Sequence, residues 1–102
     1  LDASASASSV TSAAVTVTVP AGNSGEILFV VADLSASAAK FRRNETGTFT
    51  PIFSPGVSQV FADSDEVELV VTGCAGVGEG AIVDLFDVST GTKITTATLY
   101  RV

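Results

Sequence analysis

The sequence predicts an all-β chain: an antiparallel β-sandwich, jelly-roll or immunoglobulin-like, with seven to eight short strands. Three observations carry that expectation. Apolar and polar residues alternate with a period of two, as Val67, Leu69 and Val71 do against Glu66 and Glu68, and Val15, Val17 and Val19 against Thr16 and Thr18. Clusters of Gly, Pro, Asn and Asp interrupt the apolar stretches every few residues, as turns between short strands do. No stretch carries the spacing of an amphipathic helix.

A chain of 102 residues suits one domain, because a domain of that size buries roughly two-thirds of its unfolded surface. Residues 1–13, "LDASASASSVTSA", offer only small side chains to pack and are expected to form a flexible arm or linker, with an edge strand as the alternative. A single sandwich is expected over 14–102. Its first strand is the Val/Thr run ending at Pro20, which has no N–H for a ladder, and "PAGNSG" then turns the chain. Glu26 to Asp33 forms the next strand, and Leu34 to Ala39 suits either a helical turn or a crossing loop. Ala39 to Asn44 places Phe41 and Arg43 on one face and Lys40, Arg42 and Asn44 on the other. Thr48 to Phe53 continues extended, with Pro51 confining it to an edge or a strand end. "SPG" turns, Val57 to Phe61 makes a short strand, "ADSD" turns again, and Glu66 to Thr72 follows. After "GCAGVGEG", Ala81 to Val88 and Lys93 to Val102 pair around "STGT". A start at Leu1 and the absence of Met predict a piece or processed product of a longer polypeptide.

Two of these strands break the usual pattern. A sandwich strand needs one apolar face, yet Ile27, Phe29 and Val31 oppose Leu28, Val30 and Ala32, and Ala81, Val83 and Leu85 oppose Ile82, Phe86 and Val88. At about 25 cal/mol per Å2 of apolar surface, leaving a second apolar face in water forgoes several kcal/mol, a large share of a small domain's net stability. That face is expected to be covered, either by the chain's own loops or arm, or by another molecule. With 46% hydrophobic and only 16% charged residues there is little charge to keep such a surface solvated, which favours assembly. Leu28, Val30, Ile82, Phe86 and Val88 are the candidate contacts.

Composition excludes several kinds of chemistry. The chain has no His, which removes the usual zinc sites and every Ser-His or Cys-His pair, and one cysteine, Cys74, which permits no internal disulfide. A formal net charge of -6 argues against nucleic-acid binding, which needs a basic stripe. No apolar run approaches the ~18 residues of a membrane-spanning helix, and no membrane partner is expected.

Individual motifs read blandly. "GCAGVGEG" lacks the helix and Lys of a phosphate loop, and Glu79 would repel phosphate; Cys74 within it reads as a small apolar filler. "ADSDEVE" gathers Asp63, Asp65, Glu66 and Glu68, oxygen ligands that suit calcium, but lacks the full Asp-x-Asp-x-Asp-Gly loop and reads as a solvated turn. A glycosidase pair among Glu68, Asp84 and Asp87 would want stacking aromatics, and there is no Trp and one Tyr. "GNSG" at 22–25 falls short of a nucleophile elbow, and "NET" at 44–46 matches a glycosylation acceptor. No catalytic residue, cofactor or metal ligand is expected, and the chain is read as no enzyme.

The stretch "KFRRNETGTFTP" holds Lys40, Arg42 and Arg43, three of the five basic residues. Such a patch can meet a neighbour's acidic turn, "DSDEVE" for example, and orient an assembly, or it can guard an edge strand against unwanted pairing. Binding an anionic glycan is a third use.

From Lys40 to Val88, the "GTFTPIFSPG" step, the "DEVELVVTG" strand and "GAIVDLFDV" after a glycine-rich break resemble small β-sandwich domains of phage virion proteins, the capsid decoration proteins and the head or tail fibre modules. The resemblance implies a virion or extracellular setting and a non-enzymatic, often trimeric, structural or attachment role. The expected function is therefore a structural module that assembles with copies of itself or with a larger particle. The alternative from a different class is a carbohydrate-binding or adhesive domain, on a cell surface or appended to an enzyme.

Overall fold

A computed structural model describes the backbone of residues 2–5 and the whole of residues 11–102. The strands are β1 (Asp2–Ala5), β2 (Ser12–Thr18), β3 (Glu26–Leu34), β4 (Ala38–Arg43), β5 (Thr50–Pro51), β6 (Val57–Val60), β7 (Glu66–Thr72), β8 (Gly80–Asp87) and β9 (Thr92–Tyr100). They form two antiparallel sheets, in the order β1-β2-β7-β4-β5 and β6-β3-β8-β9. This is the predicted β-sandwich. The orders β1-β2-β7-β4 and β3-β8-β9 follow the immunoglobulin-like plan rather than a jelly roll, with β5 and β6 inserted between β4 and β7.

Within the Ser/Ala-rich segment read as an arm, Asp2–Ala5 pairs with β2 from Thr18 back to Val15, and Ser12 and Ala13 open β2 itself; residues 1 and 6–10 lie outside the described residues. The ambiguous 34–39 stretch crosses between the sheets: β3 runs through Leu34, and Ala38 already begins β4 in the opposite sheet. Pro51 sits on β5, at the edge of its sheet, where its missing N–H costs no ladder bond.

Alternation builds the core. Val15 and Val17 from β2, Val67, Leu69 and Val71 from β7, and Ala39 and Phe41 from β4 point inward from the first sheet. Ile27 and Phe29 from β3, Ala81, Val83 and Leu85 from β8, and Ala97 and Leu99 from β9 meet them from the second. At the centre Phe29 stacks on Phe41, with ring centroids 4.2 Å apart, and meets Phe61 edge-on at 6.0 Å. The Phe29–Phe41 stack joins the sheets across their interface.

Candidate functional site

The other side of β3 and β8 is the second apolar face expected from the sequence. Leu28 lies opposite Phe86, Val30 opposite Asp84, and Asp33 opposite Ile82 after a bulge that takes in Ala32. Leu28, Val30, Ile82 and Phe86 are half-buried; Val88, just past the end of β8, is exposed. Polar groups border the strip: Ser58 pairs with Leu28, Lys93 with Phe86, Thr96 with Asp84 and Thr98 with Ile82. Thr96 donates to Asp84 Oδ1 at 2.7 Å, and Lys93 Nζ lies 4.0 Å from the same oxygen.

Part of the cover comes from the chain itself. A Cβ on Gly56 would meet the Phe29 carbonyl oxygen at 2.9 Å and Leu28 Cδ1 at 3.1 Å, so the loop between β5 and β6 lies directly on β3. It does not cover everything. The four-residue β6 pairs with β3 only across Glu26–Phe29, leaving the later half of the nine-residue β3 with β8 on one side alone. There a groove of about 430 Å3 opens, lined by Val30, Val31, Leu34, Ile52, Ser54 and Pro55. Leu34 is 44% exposed, and Phe53, between two lining residues, is 68% exposed. Nothing in the alternation around Pro51 singled out Phe53. Its exposure follows from Ile52 taking the inward position, where its N–H bonds the Ala39 carbonyl at 2.9 Å.

The basic patch is occupied within the chain. Arg42 faces Glu68 across β4 and β7 and donates to both carboxylate oxygens, Nε at 3.1 Å and Nη2 at 3.3 Å, while its guanidinium lies 4.3 Å from the Phe49 ring centre. Arg43, on the inward side as the alternation predicts, reaches across the sandwich edge: Nη2 donates to the Val60 carbonyl, the guanidinium lies over the Phe61 ring, and Nε sits 3.3 Å from Asp65 Oδ2 without hydrogen-bond alignment. Arg42 and Arg43 thus meet "DSDEVE" of their own chain rather than of a neighbour. Lys40, beside Pro51 and Val70, makes no ion pair among the described residues.

The acidic residues of that turn serve as caps. Asp63 Oδ1 accepts the Val19 N–H at 2.9 Å; Asp65 accepts from the Ala62 N–H and from Asn44 Nδ2, each at 2.8 Å. The Asn44 side chain, acceptor residue of "NET", also takes the Glu66 N–H at 2.6 Å. The Ala62 bond, then the Asn44 bond, and last the Arg43 charge hold the Asp65 carboxyl below the usual aspartate range, against an opposing effect of burial. A carboxyl depressed in the folded state stabilises the fold above its unfolded value near pH 4, and that contribution is lost as pH falls through the folded value. Asp65→Asn is therefore expected to cost about 1–2 kcal/mol at neutral pH, with the gap from wild type closing in acid as the pH falls through the folded value. Urea denaturation at neutral pH and in strong acid checks this; a gap that persists in acid would show that the charge is not what matters.

Glu45, Glu66 and Glu68 bring carboxylate oxygens within 4.8 Å of one another, a cluster that keeps Glu66 and Glu68 of the four acids singled out in the sequence and has Glu45 in place of Asp63 and Asp65. Arg42 already holds both oxygens of Glu68. At the same end of the sandwich Asp87, opposite Ile27 at the start of β3, is 1% exposed on the inward side of β8. Burial pushes its carboxyl up; hydrogen bonds, among them Asn23 Nδ2 at 2.9 Å and the Ser89 N–H at 3.0 Å, pull it down, and the net direction is downward. The strand parity that places Val83 and Leu85 inward carries Asp87 with them. Its clamp to the "GNSG" turn, completed by Ser24 and Ser89 hydroxyls 2.7 Å apart, has no local sequence signal.

Cys74 is half-buried against the core, and its loop is braced by Arg101 Nη1, which donates to the Cys74 and Ala75 carbonyls at 3.2 and 2.9 Å. A second cavity of about 170 Å3, near that loop, is lined by Asp33, Ser35, Thr98 and Tyr100 over a floor of Gly80 and Ile82. Among the described residues no helix is long and apolar enough to cross a membrane. Comparison with protein families, curated proteins and solved structures finds no match.

Proposed function

We propose that the chain is a non-enzymatic structural module that works by protein–protein contact through the outer face of the β6-β3-β8-β9 sheet, assembling with copies of itself or with a larger particle. One observation carries this: the apolar face remains incompletely covered by the chain's own β5–β6 loop, and the uncovered part is the groove beside Val30 with Leu34 and Phe53 exposed around it. Burying such a surface is favourable at about 25 cal/mol per Å2. The likeness of residues 40–88 to phage virion domains suggests the setting, a decoration or fibre component. Arg42 and Arg43, held by Glu68 and Asp65, act in this scheme as rigid rim groups, with Lys40 the cation left for a partner. Sedimentation equilibrium of the isolated chain tests the reading. The average mass is expected to rise above the 10.3 kDa of one chain as concentration approaches the order of 1 mM, the range of weak interfaces. A mass fixed at one chain throughout would remove self-assembly.

A second function is favoured by the smaller cavity. Tyr100 offers an aromatic face and Asp33 a carboxylate with no hydrogen bond or ion pair among the described residues, a combination that suits one neutral sugar ring. Saturable sugar binding that Tyr100→Ala abolishes would place the chain among carbohydrate-binding domains instead.

A further inference from the structure

We infer that two copies of the chain form a two-fold dimer by exchanging Phe53, each copy's ring entering the groove of the other. This deepens the proposed assembly function and rests on it. Three observations converge on a second copy as the occupant.

The first is that knob and hole share one surface. Among the described residues Phe53 is the largest apolar side chain left mostly in water, at 68% exposure, and its chain neighbours Ile52 and Ser54 both line the groove. A projecting group beside a recess it does not itself fill is self-complementary under a two-fold axis, because each copy then offers what the other lacks. The second is size. A groove of about 430 Å3 bordered by Val30, Val31, Leu34 and Pro55 has ample room for one aromatic ring.

The third is charge. The chain carries a formal net charge of -6, so two copies repel wherever acids face each other. Across the open sheet face Glu26 and Asp84 recur, but none of the six groove residues is ionisable. The lining of the groove thus sets no carboxylate of its own against a second copy, and Asp33, beside Leu34, is the acid at its rim.

The contact is small, so the dimer is expected to be weak, with a dissociation constant roughly in the micromolar-to-millimolar range, and salt should strengthen it slightly by screening net repulsion. Sedimentation velocity over a concentration series, on wild type and on Phe53→Glu, Phe53→Leu and Phe86→Lys, tests the exchange. Phe53 is exposed, so its variants are expected to fold, which thermal melting verifies. Wild type should move from monomer to dimer; Phe53→Glu should weaken association by at least about tenfold, and Phe53→Leu should largely retain it. Association unaffected by Phe53→Glu but lost in Phe86→Lys would overturn the exchange while leaving assembly through the sheet face intact. A trimer, or a wild type that never associates, would overturn the exchange outright.

Discussion

Phe29→Ala is expected to lower stability by about 3–5 kcal/mol, out of a total of roughly 5–15 kcal/mol for a domain of this kind. Phe29 is fully buried, stacked on Phe41 at 4.2 Å and set edge-on to Phe61 at 6.0 Å. Removing it deletes the middle ring of three, and the two that remain come from different parts of the chain, one on β4 and one just after β6. Neither is free to collapse into the space: the Phe41 backbone is fixed between Leu69 and Thr50, and the Phe61 N–H is bonded to the Gly25 carbonyl at 2.9 Å. The cavity cost therefore adds in full to the lost transfer energy. Urea denaturation measures it, and a loss under about 1 kcal/mol would mean that the sheets are not held together by this trio.

Gly80→Ala should be of similar severity, about 3 kcal/mol or more, for a different reason. A Cβ at Gly80 would come 1.8 Å from the Leu99 carbonyl oxygen and 2.6 Å from Tyr100 Cα. Both are backbone atoms of the paired strand β9, so no side-chain rotation relieves the clash, and the start of β8 must separate from the end of β9. Gly78→Ala is the control. Its φ is +86°, but nothing lies within 4 Å of the added carbon, so only backbone strain of about 1 kcal/mol is expected. Equal effects at the two positions would contradict the steric account.

These two sites mark what the sequence can and cannot convey. Alternation alone places Val67, Leu69 and Val71 inward, opposes Leu28 to Phe29 and turns Arg43 away from Lys40, because strand parity is a local property. It therefore reveals the second apolar face of β3 and β8. Pairing is not local. That Asp65 rather than a neighbouring molecule receives Arg43, or that Asn23 clamps Asp87 across 64 residues, depends on which strands become neighbours, and no short stretch records it. The groove belongs to the same class: it arises from the mismatch between a four-residue β6 and a nine-residue β3, and from a loop that covers Leu28 through Gly56 yet stops short of Leu34. Phe53 looked like one more residue of an extended segment because its exposure is set by Ile52 docking inward beside it.

Solvent access to Val30, Leu34 and Phe86, read by methyl and aromatic NMR relaxation from a soluble paramagnetic probe, tests most directly whether the open sheet face is a contact surface. Protection of all three is expected to grow as the chain is concentrated. Protection that is already complete in dilute solution, or that never changes on concentration, would contradict the account.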